Sequence, residues 1–227
     1  MKILVTGHKG FIGSHMSQYL LHKGHEVEGF DWVESVVPAV EQYDWVVHCG
    51  AISDTTERDI NKIWRHNYEF TMRLLQICDN YQTNIQLASS AAVYGPNKDF
   101  NEEDPCYPQT PYAWSKFLID KFLLDNGIDK FNMLVQSYRY FNVYGPGEGH
   151  KKDQMSMVSK FQVQAATEGK IKLFKNSDKY KRDIVCVYDL VRIHEEMMHQ
   201  DVSGVYNLGT GKAVDIESVA KVVVNDT

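Results

Sequence analysis

What this chain of 227 residues has little of narrows its function first. It has four cysteines, Cys49, Cys78, Cys106 and Cys186, scattered without metal-ligand spacing. They read as reduced cytosolic thiols rather than a disulfide framework. Nine histidines are present without an HxxxH or HxH pair, so no metal ligand is assigned. Positive charge is also short. Lys and Arg number 24 against 30 Asp and Glu, a net charge of -6, whereas a nucleic-acid footprint needs a basic face. No apolar run approaches the roughly 20 residues of a membrane span. The opening MKILVTG lacks the length and flanks of a signal peptide. There is no internal repeat and no low-complexity linker. A soluble, cytoplasmic, globular protein is expected, with no nucleic-acid or membrane partner.

What is present is alternation. KILVT (2–6) is a buried-strand run, followed by a glycine-rich turn and a helix with Phe11, Ile12, Met16, Tyr19 and Leu20 at helical spacing. Gly24 closes that helix. HEVEGFD reads as a second strand and YDWVVHC (43–49) as a third. A long helix from about 59 to 79 carries Ile60, Ile63, Trp64, Tyr68, Leu74, Leu75 and Cys78 on one stripe. NIQLASS is a fourth strand and FNMLVQSYRY (131–140) a fifth. Between those two a helix opens at Thr110, with Pro111 in its first turn, Gly127 past its end, and a stripe of Trp114, Phe117, Leu118, Phe122 and Leu123. This order predicts an α/β fold with a doubly wound, mostly parallel sheet.

Two short stretches carry chemistry. TGHKGFIGSH follows the first strand and opens the first helix, with Gly7, Gly10 and Gly13 spaced GxxGxxG. Glycines there allow a tight turn, close backbone approach to a pyrophosphate and tight helix packing. Asp31 ends the second strand about 20 residues on, where a ribose-binding acid belongs; otherwise it is a strand-end turn residue. A dinucleotide is the expected ligand, and the fold becomes Rossmann-type. The second stretch is TPYAWSK, which sets Tyr112 and Lys116 one helical turn apart. Tyr112 packed on the core and a solvated Lys116 is the bland reading. The chemical reading has the ammonium pull the phenol's pKa down from about 10, making it a usable acid/base.

The glycine turn, SSAAVYG after a later strand, and YxxxK together resemble the extended short-chain dehydrogenase/reductases. RYFNVYGPGEGHK, LFKNSDKYKRDIVCVYDL and GVYNLGTGKA, with GEGHK and DTTE (54–57) the more specific pieces, resemble within that group the ADP-L-glycero-D-manno-heptose 6-epimerase family of lipopolysaccharide-core synthesis. The resemblance runs from residue 1 to about 224. It implies that Ser90 hydrogen-bonds the substrate oxygen, Tyr112 shuttles its proton, and Lys116 tunes Tyr112 and holds the nicotinamide ribose. It places Phe11 and Ile12 beside the pyrophosphate and the run Cys49, Gly50, Ala51, Ile52, Ser53 along the cofactor groove. Asn67 and Val143 would contact the cofactor, and Asn142 the substrate. Phe174, Lys175, Asn176, Ser177 and Arg182 would grip the nucleotide diphosphate. Asn67 is open to another reading, since an amide interrupting an apolar stripe must find buried partners and could cap a neighbouring loop. Arg182 suits bidentate phosphate recognition or a surface salt bridge.

The implied reaction is oxidation of a carbinol by bound NAD(P), rotation of the transient ketone, and return of the hydride to its other face. A second proton donor, Lys151, is implied by the family; as bare sequence GHKKD is a solvated loop. The expected division is 1–150, an NAD(P)-binding domain, and 151–227, a partial sugar-nucleotide region interleaved with it. All strands of the cofactor half are expected before about residue 150. A homo-oligomer is expected.

Three departures from the family stand out. Only WVESVVPAVEQ separates Asp31 from the third strand, too short for helix, strand and helix, so an edge strand is expected to be missing. That loop shapes the adenosine end; Asp31 favours NAD by repelling a 2′-phosphate, yet relatives with an acid here accept NADP. HKKDQMSM holds an extra residue after Lys151. The chain stops after GTGKAVDIESVAKVVVNDT, so a shortened substrate half and weak activity are expected. The alternatives are a UDP- or dTDP-hexose 4-epimerase, a 4,6-dehydratase, against which alone the alanines beside Ser90 weigh, and a non-catalytic NAD(P)-binding relative.

Overall fold

The computed structural model describes residues 1–96 and 100–225. Strand β1 (Lys2–Thr6) is buried along most of its length, leads through the glycine turn into α1 (Phe11–His22), and is followed by β2 (Glu26–Phe30). β3 (Trp45–His48) is wholly buried, as a strand covered on both faces must be. Next come α2 (Ile60–Ile63), a six-residue π-helical stretch (Trp64–Glu69) and α3 (Phe70–Tyr81). Strand β4 (Asn84–Ser90), helix α4 (Pro111–Asn126) and strand β5 (Val135–Tyr140) complete the first half. The second half contains β6 (Asn142–Tyr144), α5 (Met157–Glu168), β7 (Lys181–Cys186) and α6 (Val187–Met197). It ends with β8 (Gly204–Leu208), β9 (Ala213–Asp215) and α7 (Ile216–Asn225).

Two compact units result, residues 1–140 with 191–207, and 141–190 with 208–227. In the first, six strands run in the order β2-β1-β3-β4-β5-β8, and the pairs from β2 to β5 are parallel. This is the expected Rossmann-type α/β sheet. Residues 31–44 supply only an isolated bridge, Val33 to Val36, so β2 is the edge strand, as the short loop required. The other edge departs from expectation: its strand, β8, comes long after residue 150. Leu4, Val46, Leu74, Ile85, Leu87, Ile119, Leu123 and Val135 form the core between sheet and helices. The second unit has a three-stranded sheet, β6-β7-β9, and a smaller core of Val158, Phe161, Ile216, Val219, Ala220 and Val223 between α5 and α7.

Helix α4 starts as its sequence demands. Thr110 accepts from Ala113 N at 3.1 Å, Pro111 fills the first turn, and Gly127 leaves the helix at φ +79°. Its inward face differs from the aromatic stripe read in the sequence. Ala113, Ser115, Lys116, Ile119, Asp120 and Leu123 are buried, whereas Trp114 is about half exposed. A charged face goes inward because its charges are met there. Asp120 accepts from Ser89 Oγ at 2.9 Å, Ser137 Oγ at 2.8 Å and Arg139 Nε at 2.9 Å.

Candidate active site

Two glycines in the first unit have steric reasons to be glycine at the turn after β1. Gly7 adopts φ +69°, and a Cβ there would lie 2.6 Å from Gly50 Cα; one on Gly13 would lie 2.1 Å from Gly7 O. Gly10 donates to Gly7 O at 2.9 Å and serves as N-cap of α1 without any side-chain cap. A helix start without a side-chain cap suits an anion at a helix N-terminus. Phe11 is buried and Ile12 half-buried behind the turn. The neighbouring run is pinned at two points. Gly50 N donates to Thr6 Oγ1 at 3.2 Å and Ile52 N to Asn67 Oδ1 at 2.8 Å. Cys49, Ala51 and Ile52 are half-buried and Ser53 is exposed.

Asn67 is fully buried on the π-helical stretch, and its Nδ2 donates to Ile52 O at 3.0 Å and Ser115 Oγ at 3.1 Å. The amide thus clamps the 50–53 loop to α4. Beneath it runs a buried chain that the sequence reading missed. His48 bridges Thr6 Oγ1 at 2.6 Å and Thr71 Oγ1 at 2.7 Å, and Thr71 donates to Asn67 O at 2.6 Å. Burial, aided by the charge of Lys116, lowers the His48 pKa to about 3, so this ring is a neutral spacer. The only signal for it was a histidine ending an apolar strand.

Asp31 stands at the end of β2 with two basic neighbours. Lys9 Nζ is 3.3 Å and His8 Nδ1 3.7 Å from its Oδ2. The His8 ring lies against Gly29, where a Cβ would come within 2.3 Å, and its Nδ1 is buried without a hydrogen-bond partner. Trp32 stacks on His66 with centroids 3.7 Å apart. Residues 32–37 with Arg65, Glu69, Phe70 and Arg73 enclose a cleft of about 360 Å³. An unpartnered buried nitrogen, an uncapped helix start and a cleft beside Asp31 fit the adenosine and pyrophosphate of a dinucleotide.

Ser90, Tyr112 and Lys116 lie in the same unit, Tyr112 and Lys116 one turn apart on α4. Ser90 ends β4, and its Oγ accepts from Ala92 N at 3.2 Å. A side-chain hydrogen bond joins it to Tyr112, which is half-buried. The expected depression of the phenol is not seen: burial raises the Tyr112 pKa, and the bond to Ser90 opposes this only in part. Lys116 is itself buried, and its ammonium interacts with Asp120 and Cys49. Burial lowers its pKa to about 8, against the pull of Asp120. Burial pushes the Cys49 thiol up to about 12, so it is no nucleophile. Asp120 and Arg139, which hold this face together, escaped the sequence reading because they pair across 19 residues; only the i,i+4 spacing of Asp120 from Lys116 hinted at it.

The second unit has a cavity of about 610 Å³ whose walls include Asn142, Val143, Lys151, Phe174 and Arg182, five of the expected contact residues. Lys160 and Lys172 add positive charge. Lys175, Asn176 and Ser177 are not among its described walls; they form the adjoining turn, with Asn176 at φ +64° and Ser177 buried. The one acid on the walls, Glu148, is buried and saturated. It accepts from Ser156 N, Ser156 Oγ and Ser159 Oγ, each at 2.7 Å, and from Gly145 N at 3.3 Å. Lys151 Nζ stands 3.5 Å from it. Burial lowers the Lys151 pKa, with Glu148 opposing. Nothing in the sequence singled out Glu148 from other loop acids.

The comparison with known proteins decides the family. Residues 3–209 match the NAD dependent epimerase/dehydratase family. The chain belongs to that family. Among curated members it is 33% identical to the ADP-L-glycero-D-manno-heptose-6-epimerase of Alkalilimnicola ehrlichii, over 98% of this chain and 80% of that protein. Among solved members, the ADP-L-glycero-D-manno-heptose-6-epimerase of Helicobacter pylori superposes with a TM-score of 0.88 at 27% identity, covering 99% of this chain and 81% of that one. The UDP-glucose 4-epimerase of Thermus thermophilus, solved with NAD, superposes at 0.80 and 26% identity, covering 99% and 83%. An epimerase-family fold is thus shared with both solved structures. The four cysteines are free, and no described helix is long and apolar enough to cross a membrane.

Proposed function

We propose that the chain is a sugar-nucleotide epimerase that inverts C6 of an ADP-glycero-manno-heptose, in the service of lipopolysaccharide-core assembly. The observation that carries the reading is the hydrogen bond between Ser90 and Tyr112, with Lys116 buried one helical turn on, in the unit that also holds the Gly7–Gly13 turn. The cationic cavity in the second unit supports a nucleotide diphosphate as the handle, and the heptose relative at 33% identity supports the sugar. NAD(P), held by Gly7, Gly10, Gly13 and Asp31, supplies a hydride acceptor that later returns the hydride. Asp31 favours NAD, and Lys9 beside it offsets part of its repulsion toward a 2′-phosphate.

The protein's own part is proton handling and orientation. Ser90 hydrogen-bonds the substrate oxygen and keeps its C–H bond aimed. Tyr112, once ionised to the phenolate, takes the hydroxyl proton as the C–H bond breaks and becomes the phenol. Lys116, poised near neutral pH by burial, holds the ribose and stabilises the phenolate once it forms. After the sugar end turns, its oxygen lies elsewhere, and Lys151 delivers the second proton. Its lowered pKa suits that task. Arg182, Lys160 and Lys172 bind the diphosphate. The test is incubation with ADP-heptose, UDP-glucose and UDP-N-acetylglucosamine, each followed by NMR. Inversion of the heptose alone is expected; inversion of a UDP-hexose in its place would overturn the substrate assignment.

A further inference from the structure

Three donor atoms meet in the first unit, away from every group assigned above. His25 lies just before β2, while Glu195 and His199 stand one turn apart at the end of α6 and just beyond it. Glu195 Oε1 is 3.4 Å from His25 Nε2 and 3.0 Å from His199 Nε2, and the three atoms all lie within 4.8 Å of one another. Ligands about 2.0–2.1 Å from a tetrahedral zinc ion sit roughly 3.3–3.4 Å apart. Two edges of such a tetrahedron are therefore already near their required length.

We propose that His25, Glu195 and His199 form a binding site for a divalent transition ion of the zinc class. His25 Nε2, His199 Nε2 and Glu195 Oε1 are the ligands, and water takes the fourth position. Two imidazoles and one carboxylate select such ions over magnesium or calcium, which want oxygen donors throughout. The side chains of His25 and Glu195 are only 9% and 12% exposed, so two ligands are held in place before any ion arrives. His199, at 55%, is open to solvent and gives the ion access. The His25 ring is held from its far side as well, with Nδ1 3.5 Å from the Met1 amino nitrogen. Binding replaces the protons now shared between the imidazole nitrogens and the carboxylate, and these leave to water.

The position says what the ion does. His25 immediately precedes β2 and Asp31 immediately follows it, and six residue steps of extended chain span roughly 20 Å. The ion is therefore remote from the cofactor turn and structural in effect. It ties the beginning of an edge strand, which has β1 as its one neighbour, to α6. Spacing along the sequence could not show this, because its ligands lie 170 residues apart.

The test uses the full chain, stripped with a chelator and titrated with Co²⁺, the visible absorption reporting coordination. The expected result is one ion per chain with a tetrahedral spectrum, displaced by Zn²⁺, and a higher melting temperature with either ion. His199→Ala and Glu195→Gln should each cut affinity by more than the roughly tenfold that loss of an outer-sphere partner costs. His199 is exposed, so its replacement leaves folding intact, and retained cofactor binding checks this. No stoichiometric binding, or binding that survives both substitutions, overturns the proposal.

Discussion

Lys116 places an ammonium on a buried helix face, and its fate sets two expectations. Its pKa is 10.5 in an unfolded chain and about 8 here, because burial disfavours the charged form more than Asp120 favours it. Between those values the unfolded chain binds more protons, so stability should rise with pH from about 8 to 10.5 on this account. Lys116→Met removes the buried charge. Denaturant unfolding should find that variant more stable than the parent at pH 7, by on the order of 3 kcal/mol at most. The gap should nearly close by pH 10.5, where the lysine is neutral in the folded chain and half protonated in the unfolded one. A constant gap would mean that packing, not charge, decides. Tyr112→Phe is read in another experiment. Hydride transfer to bound cofactor should fall by roughly 10²–10⁴-fold, with cofactor affinity retained. An unaltered rate would remove Tyr112 from the proton path.

Turns and helix starts position these side chains, and two of them are strained or crowded enough to test. A methyl at Gly13 would meet Gly7 O at 2.1 Å, so Gly13→Ala should displace the start of α1. Loss of cofactor binding, read by titration, is the expected outcome, with overall folding kept. In the loop after Lys151 the backbone kinks at Lys152, with φ +48° and ψ -118°, a region that glycine enters without cost. Lys152→Gly should therefore stabilise the chain by about 1 kcal/mol in thermal unfolding, and a loss of stability would show that the lysine side chain matters more. This kink falls where the sequence showed an extra residue. Elsewhere, legibility followed the apolar runs. KILVT and NIQLASS read as strands because they are buried on both faces. β8 did not, since GVYNL is half-buried at an edge and its Asn207 reaches polar partners, Glu102 Oε1 and Tyr94 OH. The π-helical stretch was hidden because Ile60, Ile63 and Trp64 fit an ordinary helical stripe. The inward face of α4 was hidden because Asp120 is matched by Arg139 from another strand, which no local pattern reveals.

At the scale of the whole molecule, each unit carries a distinct share of the proposed chemistry. The first holds the dinucleotide turn and the Ser90, Tyr112 and Lys116 group; the second holds a cationic cavity with Lys151 on its wall. The YxxxK spacing and the glycine turn were readable from the chain because local geometry fixes them. Glu148, His48 and the His25 cluster were not, because their partners come from distant segments. The central claim is that a hydride leaves one carbon and returns to it without ever entering water. An unactivated carbinol C–H is not acidic, so an acid/base route through solvent is closed to these residues. The most direct measurement is epimerisation of ADP-glycero-manno-heptose in D₂O, with NMR and mass analysis of the product at C6. The account expects inverted configuration with no deuterium on that carbon. Deuterium at C6 would mean that the proton was exchanged with solvent, and the borrowed-hydride mechanism would be wrong.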